Sequence, residues 1–319
     1  MAKVMFGSVL GTSLKNCNPA ACARSICDQP RFKQNRLIFL AADYRKIGYA
    51  YTWIRPPVEM YNAIPLSNSD GVDASYRWNF GSIKNVTQLF YGSTAKPLWD
   101  NATLKAHGIA GLSHTTSYRG TSIRVSALRA RLGIDLARAL FDGYRQFGAP
   151  GAALAERFDV NHRRVQAMSV GLNYDPGQWF FMGELGRITS SSYLGDTYTA
   201  YASAGYRLGD FTPYLSYAKV DPDSAISDPG LSQQGLPPAQ AYMATVLNGH
   251  LNWLLSTIAV QSTFSAGARW DVKPGLALKL QYDRALPRAG SRGSLVNVRE
   301  DFRSGRPVHV ASASLDFVF

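Results

Sequence analysis

Charge is scarce in this 319-residue chain, and so are long apolar runs and cysteines. Charged residues make up 18%, against roughly 25% in an average soluble domain. With 17 Tyr and 15 Phe, the chain is too aromatic and too weakly charged to stay solvated and disordered. No stretch approaches the ~18 consecutive apolar residues that a membrane-spanning helix needs. The three cysteines, Cys17, Cys22 and Cys27, sit close together near the start. Their spacing matches no zinc pattern, and an odd number closes no disulfide set. The cysteine-free remainder suits passage through an oxidising compartment. No Gly-rich phosphate loop, metal cluster or cofactor motif stands out, so no cofactor is expected.

The net charge is +12, a balance that invites a nucleic-acid reading. The arginines are spread singly and form no stripe, so nucleic acid is not expected as a partner. What the chain has in quantity is alternation. Ser262–Val272 puts Phe264, Ala266, Ala268, Trp270 and Val272 on one face, opposite Thr263, Ser265, Gly267, Arg269 and Asp271. Leu276–Asp283 repeats the pattern after the tight turn Lys273-Pro274-Gly275, where Pro and Gly suit a reversal. Runs of about ten such residues have the length of a tilted strand crossing a bilayer. The predicted strands are twelve: 36–43, 71–80, 84–93, 105–117, 120–131, 163–174, 178–189, 197–208, 211–220, 262–272, 275–284 and 307–319. Those at 84–93 and 105–117 choose no face cleanly. A bulge at Leu128-Arg129 is expected, to keep Arg124, Arg129 and Arg131 on one side.

Two features separate a membrane barrel from a soluble sandwich. Trp78, Phe80, Tyr174, Trp179, Tyr206, Trp270 and Tyr282 fall on the apolar face and are expected beside the short turns, where an interfacial aromatic girdle belongs. Short links alternate with long ones at roughly 44–68, 94–104, 131–161, 221–259 and 286–305, as short periplasmic turns alternate with long outer loops. Two of the long connections read as partly helical. Ile134–Phe147 carries a stripe of Leu136, Leu140, Phe141 and Tyr144, and Ala239–Ile258 follows Pro237-Pro238. Such a helix either packs within its own loop or folds into the pore. The fold class is therefore all-β, a transmembrane antiparallel barrel with long, partly helical outer loops. Residues 1–35 form an atypical segment. Met1–Leu14 has one Lys and a broken apolar run, a poor match to a signal peptide, and the expectation is an N-terminally truncated product. Residues 36–319 form the barrel.

The chain ends in Val308–Phe319, with Ala311, Ala313, Leu315, Phe317 and Phe319 on one face. This resembles the C-terminal assembly signal of bacterial outer-membrane proteins, with Leu315, Phe317 and Phe319 carrying it. Gly48–Tyr61 (GYAYTWIRPPVEMY), Ala139–Gly148 (ALFDGYRQFG), Gly171–Gly183 (GLNYDPGQWFFMG) and Tyr201–Tyr217 (YASAGYRLGDFTPYLSY) resemble a Gram-negative general-porin-like family. The resemblance implies a barrel of about 16 strands when complete and often a homotrimer. It also implies outer-membrane location, contact with its lipid and with the assembly machinery, and passage of small hydrophilic solutes or ions.

In such a barrel the lumen sets the function. The alternation assigns Arg77, Arg124, Arg129, Arg131, Arg207, Arg269 and Lys279 to the pore, with Asp73, Glu184, Asp271 and Asp283. An excess of arginine predicts a modest anion preference, unless the charges pair across strands, as Arg269 could with Asp283. Arg45, Arg55 and Glu59 flank Pro56-Pro57, either as constriction residues at the mouth or as ordinary loop charges. The expected function is a porin, a passive diffusion channel and no enzyme. The alternatives are a barrel enzyme of lipase or protease type, a non-functional porin fragment, and a soluble β-sandwich. An enzyme would need a nucleophile with an oriented base. His107, His114, His162, His250 and His309 sit in no such motif, and His114 with its nearby serines is the best of them.

Overall fold

The computed structural model describes residues 3–6, 33–34, 48–63, 69–97, 103–295, 298–299 and 301–318. They form one antiparallel sheet in which chain neighbours are sheet neighbours. Two short strands, β1 (Lys3–Phe6) and β2 (Lys33–Gln34), pair with the edge of β3 (Ser69–Phe80). The meander continues through β4 (Ile83–Pro97), β5 (Thr103–Tyr118), β6 (Thr121–Ile134), β7 (Arg163–Tyr174) and β8 (Trp179–Ser190). It ends with β9 (Thr197–Tyr206), β10 (Phe211–Pro222), β11 (Gln261–Lys273), β12 (Leu276–Pro287) and β13 (Val308–Phe317). Among the described residues no pairing joins β13 back to β1 or β3. The eleven long strands β3 to β13 fall on eleven of the predicted segments. The predicted strand 36–43 lies outside the described residues, as does most of 1–35.

The two faces of the sheet are reversed relative to a soluble sandwich. Leu89, Val125, Met168, Leu185, Leu215, Leu280 and Leu315 are exposed, while Ser75, Gln88, Ser113, Ser126, Ser169, Ser203, Ser216 and Gln281 are buried. Water would charge about 1.5–3 kcal/mol for each exposed large aliphatic side chain, so a continuous face of them requires an apolar solvent. Among the described residues no helix is long and apolar enough to cross a membrane. Strands that alternate apolar outward and polar inward do so without one.

Aromatics bound this outward face at both ends. Trp78, Phe80, Tyr118, Trp179, Tyr206, Phe211 and Trp270 are exposed beside the short turns. Tyr91, Tyr198, Tyr217, Phe264 and Tyr282 are exposed toward the long connections. Tyr282 thus belongs to the second girdle and not to the first, because it lies on β12 six residues beyond Leu276. On β9 the girdles are eight residues apart. At about 3.3 Å per residue and a tilt of about 40°, that rise is roughly 20 Å, close to the height of a barrel's apolar band.

β4 and β5 blur the alternation for a visible reason. Their outward face carries a hydrogen-bonded polar chain near the short turn. Thr87 Oγ1 meets His114 Nδ1 at 2.8 Å, His114 Nε2 meets Thr116 Oγ1 at 3.1 Å, and Thr116 donates to Asn85 at 2.9 Å. Trp78 covers the histidine ring, with centroids 6.3 Å apart.

The register of β6 corrects one expectation. Its pairing with β7 is continuous from Thr121 to Leu132, so no bulge occurs at Leu128-Arg129. The irregularity is in β5, between His107 and Ala110, where Gly108 has φ +59°, a backbone shape that favours glycine. Because β6 stays regular, Arg124 points inward and is buried, while Arg129 and Arg131 are exposed on the outward face.

Inward aromatics lie on glycines of the next strand at directly paired positions: Phe90 on Gly111, Phe180 on Gly205 and Tyr214 on Gly267. A Cβ at any of the three would meet its ring at 2.1–2.6 Å. Ring and glycine fill one another's space, as in aromatic rescue of strand glycines.

The long connections hold α2 (Arg138–Arg145), α3 (Gly148–Phe158) and α4 (Pro238–Leu255). Phe141, Tyr144, Phe158, Leu247, Leu251 and Leu255 are buried in one cluster with the inward Leu104, Ile109, Leu128, Leu132, Val165 and Ile188 of the sheet. Tyr144 donates to Asn248 at 3.1 Å, tying α2 to α4. The helices therefore pack on one another and onto the inner wall at its long-loop end. The side chain of Leu136, from the predicted stripe, lies outside the described ones.

Candidate functional site: the inner wall and its strap

Residues 49–63 run along the inner wall from β8 to β13, and they include the short helix α1 (Val58–Tyr61). Pro56-Pro57 removes two backbone donors and leads into this single turn. Side chains then fasten the strap strand by strand. Tyr61 donates to Glu184 on β8 at 3.3 Å and meets the Tyr201 hydroxyl on β9 at 3.1 Å. Thr199 on β9 donates to the Met60 sulfur at 2.9 Å, and Trp53 Nε1 donates to Ser203 at 3.1 Å. Glu59 Oε1 accepts from Gln261 on β11 at 2.6 Å and also from Thr263. The backbone N–H groups of Ile54 and Arg55 both donate to Gln281 Oε1 on β12, at 2.8 and 3.1 Å. Arg55 Nη2 reaches Asp283 on β12 at 2.7 Å and Ser312 on β13 at 2.9 Å.

These partners place the predicted charges. Arg55 and Glu59 are strap residues held on the inner wall, and Glu59 is 2% exposed. Arg45 lies outside the described residues. Arg269 ion-pairs with Asp271 at 2.6 Å, donates to the carbonyls of Tyr49 and Tyr51, and lies 4.5 Å over the Tyr49 ring. It does not pair with Asp283, whose partner is Arg55. Lys279, buried at 1% side-chain exposure, pairs with Asp316 at 2.7 Å. Asp73 is inward and accepts from Gln88 at 3.1 Å. Arg124 donates to Ser113 at 3.3 Å, and Arg77 stands on the same face of β3 as Asp73. Glu184 is buried beneath Tyr61.

Arg207 sits in the short turn between β9 and β10 rather than along the lumen. Its guanidinium grips Asp175, in the neighbouring turn, by two bonds of 2.7 Å. The Arg207 hydrogen bond holds the Asp175 carboxyl below its ordinary 3.8, and the same bond raises Arg207. Leu315 and Phe317 are on the outward face of β13, and Phe319 lies outside the described residues. His114 faces outward among threonines, so the expected company of serines is not what its ring meets.

Reading charges alone missed Trp53, Tyr61, Gln261 and Gln281, which do most of the fastening. The first two stand in the aromatic run Tyr49–Trp53 and the turn after Pro57. Both glutamines occupy inward positions of regular strands, a signal that alternation does carry.

The sheet has the strand order, alternation and girdles of an outer-membrane β-barrel wall. No protein-family model matches the chain, and no curated protein does either. Among solved structures it is similar to the outer-membrane-expressed OmpT of Vibrio cholerae, at 11% identity and a TM-score of 0.44, covering 88% of this chain and 72% of that one. It is also similar to the ferric-catecholate import receptor Fiu of E. coli K12 in its closed form, at 10% identity and 0.29, covering 78% and 45%. A third, LpxR of Salmonella typhimurium, gives 11% identity and 0.27, covering 78% and 88%.

Proposed function

We propose that this chain forms a porin-type wall in the bacterial outer membrane, through which small hydrophilic solutes diffuse down their gradients. The observation that carries the reading is the combination of an apolar outward face with a polar inner wall crossed by the strap. No chemical step is involved. The Ser, Thr and Gln side chains of the wall replace hydration at short range, and the strap narrows the passage.

Ion preference follows from the inward charges. Arg129 and Arg131 leave the lumen inventory. Arg55, Arg77, Arg124, Arg269 and Lys279 then stand against Glu59, Asp73, Glu184, Asp271, Asp283 and Asp316. Several are paired at 2.6–2.7 Å, so the field is nearly balanced and selectivity is weak. The same proposal takes in recognition of β13 by assembly machinery through Leu315 and Phe317, and a homotrimeric assembly.

The test is single-channel conductance of the full refolded chain in a planar bilayer under a salt gradient. Stable open steps with a reversal potential close to zero are expected. An inserted, β-rich chain that gives no steps overturns the diffusion function.

A further inference from the structure

Along most of the outward face the residues are apolar or paired. Arg187, for example, is matched by Asp196 at 2.8 Å, and Lys219 by Asp221 at 2.5 Å. Arg284 on β12 stands exposed as a single cation opposite His309, whereas one patch departs as a cluster. At the long-loop ends of β5, β6 and β7, Lys105, His107, Arg129, Arg131 and Arg164 are all exposed. Arg131 has His107 as its direct partner on one side and Arg164 on the other. Arg129 follows two residues along the same face, opposite Gln166. Among the described residues no carboxylate forms an ion pair with Arg129, Arg131 or Arg164. Like charges placed directly opposite destabilise a sheet, so the described residues leave this patch uncompensated.

Position identifies what compensates it. Next along the same strands come Val125, Met168 and Val170, all exposed and apolar. The cations therefore begin where the apolar face stops, at the level of lipid headgroups. We propose that this patch binds the phosphate of a phosphomonoester lipid in the leaflet on the long-loop side. Guanidinium forks fit phosphate oxygens with paired hydrogen bonds, and a phosphomonoester brings close to two negative charges. The acyl chains of the same lipid lie on Val125, Met168 and Val170. A free anion gains no such contact on an open, water-screened wall.

This inference rests on the membrane-wall reading. Its test uses the full chain in phosphatidylcholine vesicles with and without phosphatidic acid, measuring the lipid that stays with the protein on extraction. Protease protection of the strands reports insertion. The wild type is expected to enrich phosphatidic acid over phosphatidylcholine, with no displacement by inorganic phosphate at matched concentration. The triple variant Arg129→Ala, Arg131→Ala, Arg164→Ala is expected to lose about two orders of magnitude of that preference. Arg131→Gln, which relieves repulsion and leaves the fold intact, is expected to lose about fivefold. Insertion with equal retention by wild type and variants overturns the headgroup site alone. Displacement by inorganic phosphate overturns the lipid assignment in favour of a free-anion site. Failure to insert in any vesicle overturns the membrane reading and this inference with it.

Discussion

If the strap limits flow, loosening it must change conductance, and Trp53 is the place to loosen it. The side chain is 4% exposed. It stacks on Tyr51 at 5.7 Å, meets the Tyr201 ring edge-on at 5.9 Å, and donates to Ser203 at 3.1 Å. Trp53→Ala removes this burial, a change worth about 3–5 kcal/mol for a large aromatic, of which the hydrogen bond is about 1 kcal/mol. Ser203 keeps a partner, since its hydroxyl also donates to Leu215 O at 3.2 Å, so no orphaned polar group adds to the loss. The fastenings that remain are Arg269 on the carbonyls of Tyr49 and Tyr51 before it, and those of Ile54, Arg55 and Glu59 after it, and they hold the strap on either side. The middle of the strap then lifts more readily by about two to three and a half orders of magnitude, at one decade per 1.4 kcal/mol. The expected outcome in a planar bilayer is larger and noisier open steps for Trp53→Ala. Trp53→Phe, which keeps a ring and loses the donor, should fall between wild type and Ala. The sheet itself should keep its melting behaviour in detergent, because its strands pair independently of the strap. Identical step size and noise in wild type and Trp53→Ala, with both folded, would refute the strap as the restriction.

Three further perturbations follow from the same geometry. Gly205→Ala puts a methyl group within 2.5 Å of the Phe180 ring and should destabilise the sheet by about 1–3 kcal/mol. Phe180→Leu in the same chain should recover part of that loss in urea unfolding. Lys279→Met alone strips the buried partner from Asp316 and should cost about 3–5 kcal/mol; the double variant with Asp316→Leu should lie much nearer wild type, and equal losses would count against the pair. The Asp175–Arg207 clamp stabilises the short-turn rim above pH 3.8 and loses that contribution as pH falls further, because Asp175 is depressed in the folded state. Asp175→Asn should therefore flatten the acid limb of a stability profile, and an unchanged limb would exclude the clamp as its source. Tyr144 runs the other way: burial, with Asp228 adding to it, raises it to about 12. Its contribution to helix packing is present below pH 10 and fades between 10 and 12, which hydrogen exchange in α2 and α4 can follow.

What was legible in the sequence follows the physics that wrote it. A strand between lipid and polar lumen must alternate at every residue, so β11 could be read to within one residue of its ends and β12 to within three. Their turns could be read because Pro274 and Gly275 satisfy local backbone needs that owe nothing to the rest of the chain. The same independence explains the helices, since the apolar stripe of Phe141 and Tyr144 exists before its partner α4 is known. Contacts across long sequence distance leave no such trace. Nothing near Trp53 names Ser203, 150 residues away, and nothing near Asp283 names Arg55 rather than Arg269 as its counterpart.

The arginines of β6 show the sharper limit. Period-two alternation is absolute only while the register is continuous, and one bulge inverts every assignment beyond it. Assuming that arginine belongs in the lumen placed a bulge in β6 to bring Arg129 and Arg131 inward. The chain instead spends its irregularity one strand earlier, at Gly108, a residue able to take φ +59°. β6, with no glycine between Thr121 and Leu132, stays regular. The glycine was the better guide, because backbone permissiveness decides where a bulge forms, whereas charge can be satisfied on either face. On the outward face Arg129 and Arg131 then need an anion that none of the described residues supplies, which is why their position points to headgroup binding and not to ion selection in the pore.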